Sequence, residues 1–441
     1  MKQRLNRNKM VPVLLAAAVV LSATSIPYSE VHAKTSAPAA HQKSSAKTLK
    51  PVWQKNLGSL DQPQMGYTFD KGVVYYNAGT SLSAANLKTG KTKWSYKSTP
   101  SSAPITNLGY VYFTDTSGRI HKVNAKTGKS AWVKKAYAAP KSGKGYEPSS
   151  IDYYSGMLIL SDAYGLTAYD TKTGKLKWKT ERKGNSSYNI EMMNGLLLAS
   201  STVSGAITTT QLHAISAYTG QIKWTYNGNF QDLLQTGPEL HILRYNNGID
   251  NGYALTIDVL EYSTGKMLNT LEYQPVPFVE MESAKKVASA FDHYFFTQNT
   301  RDNGGQLAVV PHQAPNYSSA VKTYEYDAVI TQMELSDSKD STIVMSLADG
   351  RIVLKNVKTG KDKVTSYPSK ISRFDILENV VVIGLADGRL VLKDIRTGKD
   401  VATYKLGSGD FLETTRTIRD ELLIQTGGKL YYVPLPASLK S

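Results

Sequence analysis

The chain has 441 residues, 41% of them apolar and 20% charged, so it can bury a large core, and length alone suggests two or three domains. It holds no cysteine, which excludes a disulfide framework and the lipidated cysteine that tethers an exported bacterial lipoprotein. The net charge of +16 comes from lysines spread along the chain, which suits weak attraction to polyanions such as cell-wall polymers or to acidic partner surfaces, and no nucleic-acid motif accompanies it.

Residues 1–33 read as a secretory signal peptide. Lys2, Arg4, Arg7 and Lys9 form a basic head, Val11 to Ala23 an apolar run too short for a comfortable membrane span, and Val31-His32-Ala33 a site with small residues for a signal peptidase. An uncleaved anchor is the alternative. Cleavage would start the mature chain near Lys34, release it from the membrane, and leave an Ala/Ser/Lys-rich stretch over 34–50 as a flexible linker. Residues 51–434 share one repeating pattern and are expected to form one closed domain, followed by a C-terminal tail at 435–441.

The repeat is a Thr-Gly pair followed four residues later by tryptophan. The glycines are Gly90, Gly128, Gly174, Gly220, Gly265, Gly360 and Gly398, spaced 38, 46, 46, 45, 95 and 38 residues apart, and Trp94, Trp132, Trp178 and Trp224 follow the first four. A period of about 40–45 residues is what four short strands and their turns require in a propeller blade, and 95 is about two periods with one worn copy between. Each glycine is preceded by threonine and, four residues back, by a polar residue such as Asn86, Asn124 or Asp170. Such side chains accept turn N–H bonds while glycine supplies a positive φ, so the motif reads as a hairpin device.

The chain ends complement each other. The last copy, Glu421 to Val433, turns at Gly427-Gly428 and stops after Val433 without the Thr-Gly turn and tryptophan strand that follow elsewhere, while Pro51 to Lys55 around Trp53 matches an outer strand without its turn. Pairing the two closes the ring and limits exposed sheet edges. All five tryptophans, Trp53, Trp94, Trp132, Trp178 and Trp224, are then blade clamps, and Asn269, Val364 and Ala402 fill the same slot in blades expected to be less tightly held. Middle strands number nine if a worn copy near Gln306 to Val310 is included, so eight and nine blades both stay open.

The letters show no active site. Gly90-Lys91-Thr92 and Gly128-Lys129-Ser130 lack the early glycine and the helix of a phosphate-binding loop. His121 and His213 share a slot that valine also occupies, at Val353 and Val391, so they read as packing or surface residues, and no metal-ligand spacing exists. Arg301 to Gly305 offers a single carboxylate where a calcium loop needs several ligands. The insertion from Ala136 to Ser149 is expected as a rim loop, and tyrosines such as Tyr146 and Tyr188 as candidates for protein recognition.

A Thr-Gly-Lys turn followed by tryptophan, behind a strand such as Leu166 to Asp170, resembles the pyrroloquinoline-quinone (PQQ) repeat over nearly all of the mature chain. The resemblance implies an all-β propeller of four-stranded blades, usually eight. The family includes cofactor-dependent alcohol dehydrogenases and cofactor-free scaffolds, among them the propeller lipoprotein of the outer-membrane assembly machine, and this chain is similar to secreted propellers of Gram-positive bacilli. The dehydrogenases hold calcium and the quinone on the axis with adjacent cysteines and a stacking tryptophan; this chain has neither cysteine nor a tryptophan to spare. The expectation is a secreted, monomeric, non-catalytic scaffold that binds protein partners and takes no cofactor or metal. The alternatives are a PQQ-dependent oxidoreductase and a wall-associated or carbohydrate-binding module.

Overall fold

The structure is a computed structural model that describes residues 33–34, 46–58, 66–137, 150–162, 165–181, 189–203, 209–244, 255–273, 286–290, 293–299, 304–312, 322–336, 342–407, 411–417 and 421–440. The signal segment up to residue 32, most of the 136–149 insertion, Tyr146, Tyr188 and residues 301–303 lie outside the described residues.

One blade shows how the letters become a sheet. Tyr67–Asp70, Val73–Asn77, Leu82–Asn86 and Thr92–Tyr96 pair in sequence order as an antiparallel meander. The second and third strands, Val-Val-Tyr-Tyr-Asn and Leu-Ser-Ala-Ala-Asn, are almost wholly buried because a blade covers both of their faces, whereas the last strand alternates towards solvent.

The described residues form nine such sheets. In chain order the blades span residues 67–96, 105–135, 150–181, 189–227, 230–273, 286–326, 330–366, 371–405, and 411–434 completed by 53–56. The first strand of each blade borders the axis: contacts between successive blades run first strand to first strand, as between Tyr67–Asp70 and Ile105–Asn107. Nine apolar clusters fill nine seams, each mixing residues of two adjacent blades, and the one joining Leu423, Leu430 and Tyr432 to Val74, Tyr76 and Leu87 closes the ring. The core is thus a circle of wedges.

Nine blades, and not the eight that the family resemblance implies, follow from the stretch where the repeat is worn. Gly305–Pro311 is the third strand of a complete sheet with Lys286–Ala290, His293–Asn299 and Lys322–Tyr326, although no Thr-Gly turn marks it. Alternation and turn-forming residues suffice for a blade once both neighbours offer an apolar face.

Closure is made by the N-terminal strand. Trp53–Asn56 pairs antiparallel with Lys429–Pro434, with Trp53 opposite Tyr432 and their rings stacked at 5.5 Å and 3°. Of the expected linker over 34–50, the described residues 34 and 46–50 include strand. Lys47–Leu49 adds a fifth, parallel strand to the outer edge of the eighth blade, and Ala33–Lys34 pairs in parallel with the outer strand of the sixth. Strands so short carry no periodic signal; what holds them is the unpaired edge they cover.

Replacing Trp53 with alanine removes the stacked ring at the closure. Stability is expected to fall by about 3–5 kcal/mol, read as a lower urea midpoint.

Candidate functional site

The Thr-Gly turns and the tryptophans are one device seen from two sides of a seam. Each indole sits on the outer strand of one blade and donates its Nε1–H to a carbonyl in the turn of the next: Trp53 to Leu87 at 2.7 Å, Trp94 to Ala125 at 3.0 Å, Trp132 to Thr171 at 3.2 Å, Trp178 to Ala217 at 3.2 Å and Trp224 to Tyr262 at 3.0 Å. The accepting residue is always three before the turn glycine. That glycine lies under the ring. A methyl group on Gly265, at φ +69°, would come within 2.5 Å of Trp224, and one on Gly220 within 2.5 Å of Trp178; Gly90 and Gly128 meet Trp53 and Trp94 at 2.7 Å. Inside the turn, Asn86 accepts the Thr89 amide at 2.9 Å and hydroxyl at 3.0 Å, and the arrangement recurs at Asn124, Asp170 and Asn356.

The seams without tryptophan use other chemistry. Where Asn269 and Ala402 fill the slot, a tyrosine two or four residues on reaches across: Tyr273 donates to the Pro311 carbonyl at 3.0 Å and Tyr404 to that of Pro434 at 2.6 Å. In the sixth blade Tyr324 lies over Gly360. The seventh blade corrects the expectation for Val364. The bulge that shifts the outer strand's register in the tryptophan blades is absent there, so Leu354 faces Lys363, and it is Lys363 that covers Gly398 of the next blade.

The seventh and eighth blades also carry a feature that the sequence reading missed. Lys355 and Lys393, each five residues before its turn glycine, are buried and lie 2.6 Å from Asp362 and Asp400, each two residues after it. Tyr326 and Tyr367 of the preceding blades donate to those carboxylates at 3.3 and 2.8 Å. Burial lowers the pKa of both lysines against the pull of their aspartates. The signal was available: lysine at that place occurs in these two copies alone, and both have aspartate in the partner place and no tryptophan.

Two buried histidines, His121 and His241, are seam residues too. His121 contacts Asp115 through Nε2 at 2.8 Å and the Tyr96 hydroxyl through Nδ1 at 3.1 Å, and Asp115 also accepts from Ser98 at 3.1 Å and from Arg119 at 2.8 Å. Burial pushes the Asp115 carboxyl up, but the Arg119 and His121 contacts win and hold it at about 2. Serine, histidine and aspartate are all present, yet Ser98 lies on the ring nitrogen that the carboxylate already occupies, 3.4 Å away. A hydrolytic triad needs the nucleophile and the carboxylate on opposite nitrogens of the histidine. His213 contacts Thr225 at 2.9 Å, and His241 contacts Glu239 at 3.0 Å and the Tyr294 hydroxyl.

Around the axis the first strands carry Asp152, Glu191, Asp232, Glu334 and Asp375. Burial and then the neighbouring Asp232 raise Glu191; burial raises Glu334, and Arg373 lies 2.8 Å from Asp375. Gln332 bonds both the N–H and the C=O of Phe374, at 3.1 and 2.6 Å, and so stitches two first strands together. Among the described residues no three acidic or histidine side chains converge as metal ligands, and all five indoles sit at outer seams, so these residues do not fit an axial calcium and quinone.

The two faces of the ring differ. Thr-Gly turns share one face with the turns between first and second strands, such as Leu108-Gly109 and Asn194-Gly195. That face carries exposed Lys88, Lys91, Lys126, Lys129, Lys172 and Lys175. It also carries most of the large exposed apolar side chains: Leu108, Leu176, Tyr218, Met267 and Leu268. Tyr154 and Tyr218 meet across the third seam, hydroxyl to hydroxyl at 3.2 Å.

Two substitution pairs test the seams. Gly72 and Gly265 both have positive φ, but a methyl on Gly72 meets nothing within 4 Å. Gly265→Ala is therefore expected to cost about 1–3 kcal/mol more than Gly72→Ala in urea unfolding, the overpacking against Trp224. Lys393→Met alone, which strands Asp400 in the seam, is expected to cost about 3–5 kcal/mol, and Lys393→Met with Asp400→Leu much less.

Known proteins place this geometry. A family model described as outer membrane protein assembly factor BamB matches residues 41–226 and 150–299. No curated protein sequence matches. Among solved structures, BamB from Moraxella catarrhalis is 13% identical, covering 88% of this chain and 100% of its own, with a TM-score of 0.49. The quinohemoprotein alcohol dehydrogenase from Comamonas testosteroni is 15% identical, covering 89% and 79%, at 0.49. Saccharomyces cerevisiae Sqt1 is 14% identical, covering 75% and 94%, at 0.50, a likeness of fold alone. With the family model matched over more than half of its length, the chain belongs to the PQQ-like-repeat β-propellers of BamB type.

Proposed function

We propose that this protein is a secreted, monomeric, non-catalytic scaffold that binds a protein partner on the face bearing the Thr-Gly turns. The observation that carries the reading is the exposure there of Leu176, Tyr218, Met267 and Leu268 on three consecutive blades, among lysines. Apolar and aromatic side chains ringed by charge are what a protein interface needs at its centre and rim. The commitment of every indole to a seam supports the absence of a quinone, and the family's name, an assembly factor, agrees with work done through contacts. The lysines also favour a second reading, attachment to a polyanionic wall polymer.

A photo-crosslinking residue at position 218, in the protein secreted into its native culture, is expected to capture one protein species, competed by unlabelled propeller. The same residue at position 116, in an exposed turn on the other face, should capture little. Equal capture at both positions would count against the face assignment. Salt-sensitive retention on isolated cell walls without protein capture would favour the polymer reading. Dye reduction with alcohols after addition of quinone and calcium would overturn the non-catalytic reading.

A further inference from the structure

Cavities open at seams that have lost their indole. Between the sixth and seventh blades, one of about 340 Å³ holds Lys355, whose charge Asp362 answers at 2.6 Å. Between the seventh and eighth, one of about 320 Å³ holds Lys363, which donates to the Arg396 carbonyl at 2.6 Å. A larger one, of about 530 Å³, lies at the outer rim where the N-terminal arm passes from the eighth blade to the ninth.

Two features of the chain make this third cavity. Ala402 fills the clamp slot of the eighth blade, and the ninth blade takes its outer strand from the arm, so no hairpin turn fills the corner beside it. Leu49, Pro51 and Val52 supply an aliphatic wall as the arm passes from one outer strand to the next, and Val52 is 55% exposed. Lys50 and Lys405 also line the corner, and both are exposed. Leu49 lies opposite Tyr404 in a parallel pairing, so these two lysines come next at the same end of neighbouring strands, their backbones about 5 Å apart. Arg389 faces Lys405 from the other side, its own charge answered by Asp387. No carboxylate is among the described lining residues, and neither lysine's amino group makes an ion pair or hydrogen bond among the described residues. Like charges side by side on adjacent strands are destabilising unless something answers them.

We propose that this corner binds an amphipathic carboxylate with an aliphatic tail: the tail lies along Leu49, Pro51 and Val52, and the head sits between Lys50 and Lys405. A concave apolar site with a few convergent polar groups is the usual form of a small-molecule site. The lysines set the sign of the head, since a carboxylate relieves their mutual repulsion and an ammonium group adds to it. Lys405 ends its strand away from the Thr-Gly turn, so the site is separate from the face assigned above to a protein partner.

The test uses the whole chain and octanoate as probe, with 1-octanol as its neutral counterpart, in titration calorimetry at low salt. One binding site is expected, with the alcohol weaker by about tenfold or more, the value of a hydrogen bond to a charged group. Added salt should weaken the acid and not the alcohol. Lys50→Ala with Lys405→Ala should weaken octanoate by about tenfold or more without lowering the thermal midpoint. Val52→Asp, which puts a carboxylate in the wall, should also weaken it, and Val52→Lys should retain binding. Lys97→Ala with Lys135→Ala, exposed lysines at the matching ends of the first and second blades' outer strands, should change nothing. Acid and alcohol binding alike, full affinity in the Lys50 and Lys405 double variant, an equal loss in the Lys97 and Lys135 variant, or no heat at millimolar octanoate would each overturn the proposal.

Discussion

The ring depends on how closely an indole approaches a backbone. At five seams the outer-strand tryptophan lies where the next blade's turn has no Cβ, and the same turn turns a carbonyl towards the indole N–H. Glycine therefore answers two demands at once. It supplies the left-handed φ that the turn needs, and it leaves the space that the ring fills. Each demand alone would tolerate some strain; together they fix the residue, and with it the angle between neighbouring blades.

A nine-bladed wheel need not use the same fastening throughout. From the ninth blade round to the fifth the seams are aromatic, and the seventh and eighth blades hold buried lysine–aspartate pairs with tyrosine hydroxyls. The two solutions differ in character. Indole burial gains from area and tolerates small shifts, whereas a buried ion pair only offsets the cost of desolvating both charges and demands its geometry. An ionic seam thus gives register more than stability, and it leaves beside the sixth and seventh blades the room that a larger ring would have taken.

Much of this was legible because a repeat multiplies its signal. Seven copies of Thr-Gly ahead of an outer strand announce the turn, and the unmatched ends predict the pairing of Trp53 with the strand around Tyr432. What resisted reading has physical causes. The sixth blade lost its turn motif but kept its alternation, which hides a blade from a motif search though not from folding. Val364 was placed by counting from Gly360, and counting assumes a bulge that the seventh blade does not have. The Lys–Asp pairs are a correlation between two positions within single copies, invisible to a reading that takes each position separately.

The path of the N-terminal arm follows from the same division. Ala33–Lys34 and Lys47–Leu49 lie against the outer strands of the sixth and eighth blades, and neither strand carries tryptophan. Leu49 packs on the cluster that holds Ala402 and Tyr404, the residues at the seam where an indole is missing. At the eighth blade, where Ala402 fills the clamp slot, the added strand contributes an apolar side chain of its own, Leu49. Both described strands of the arm thus lie on the arc that lacks indoles, and the closing strand Trp53–Asn56 begins where its own tryptophan resumes the aromatic series.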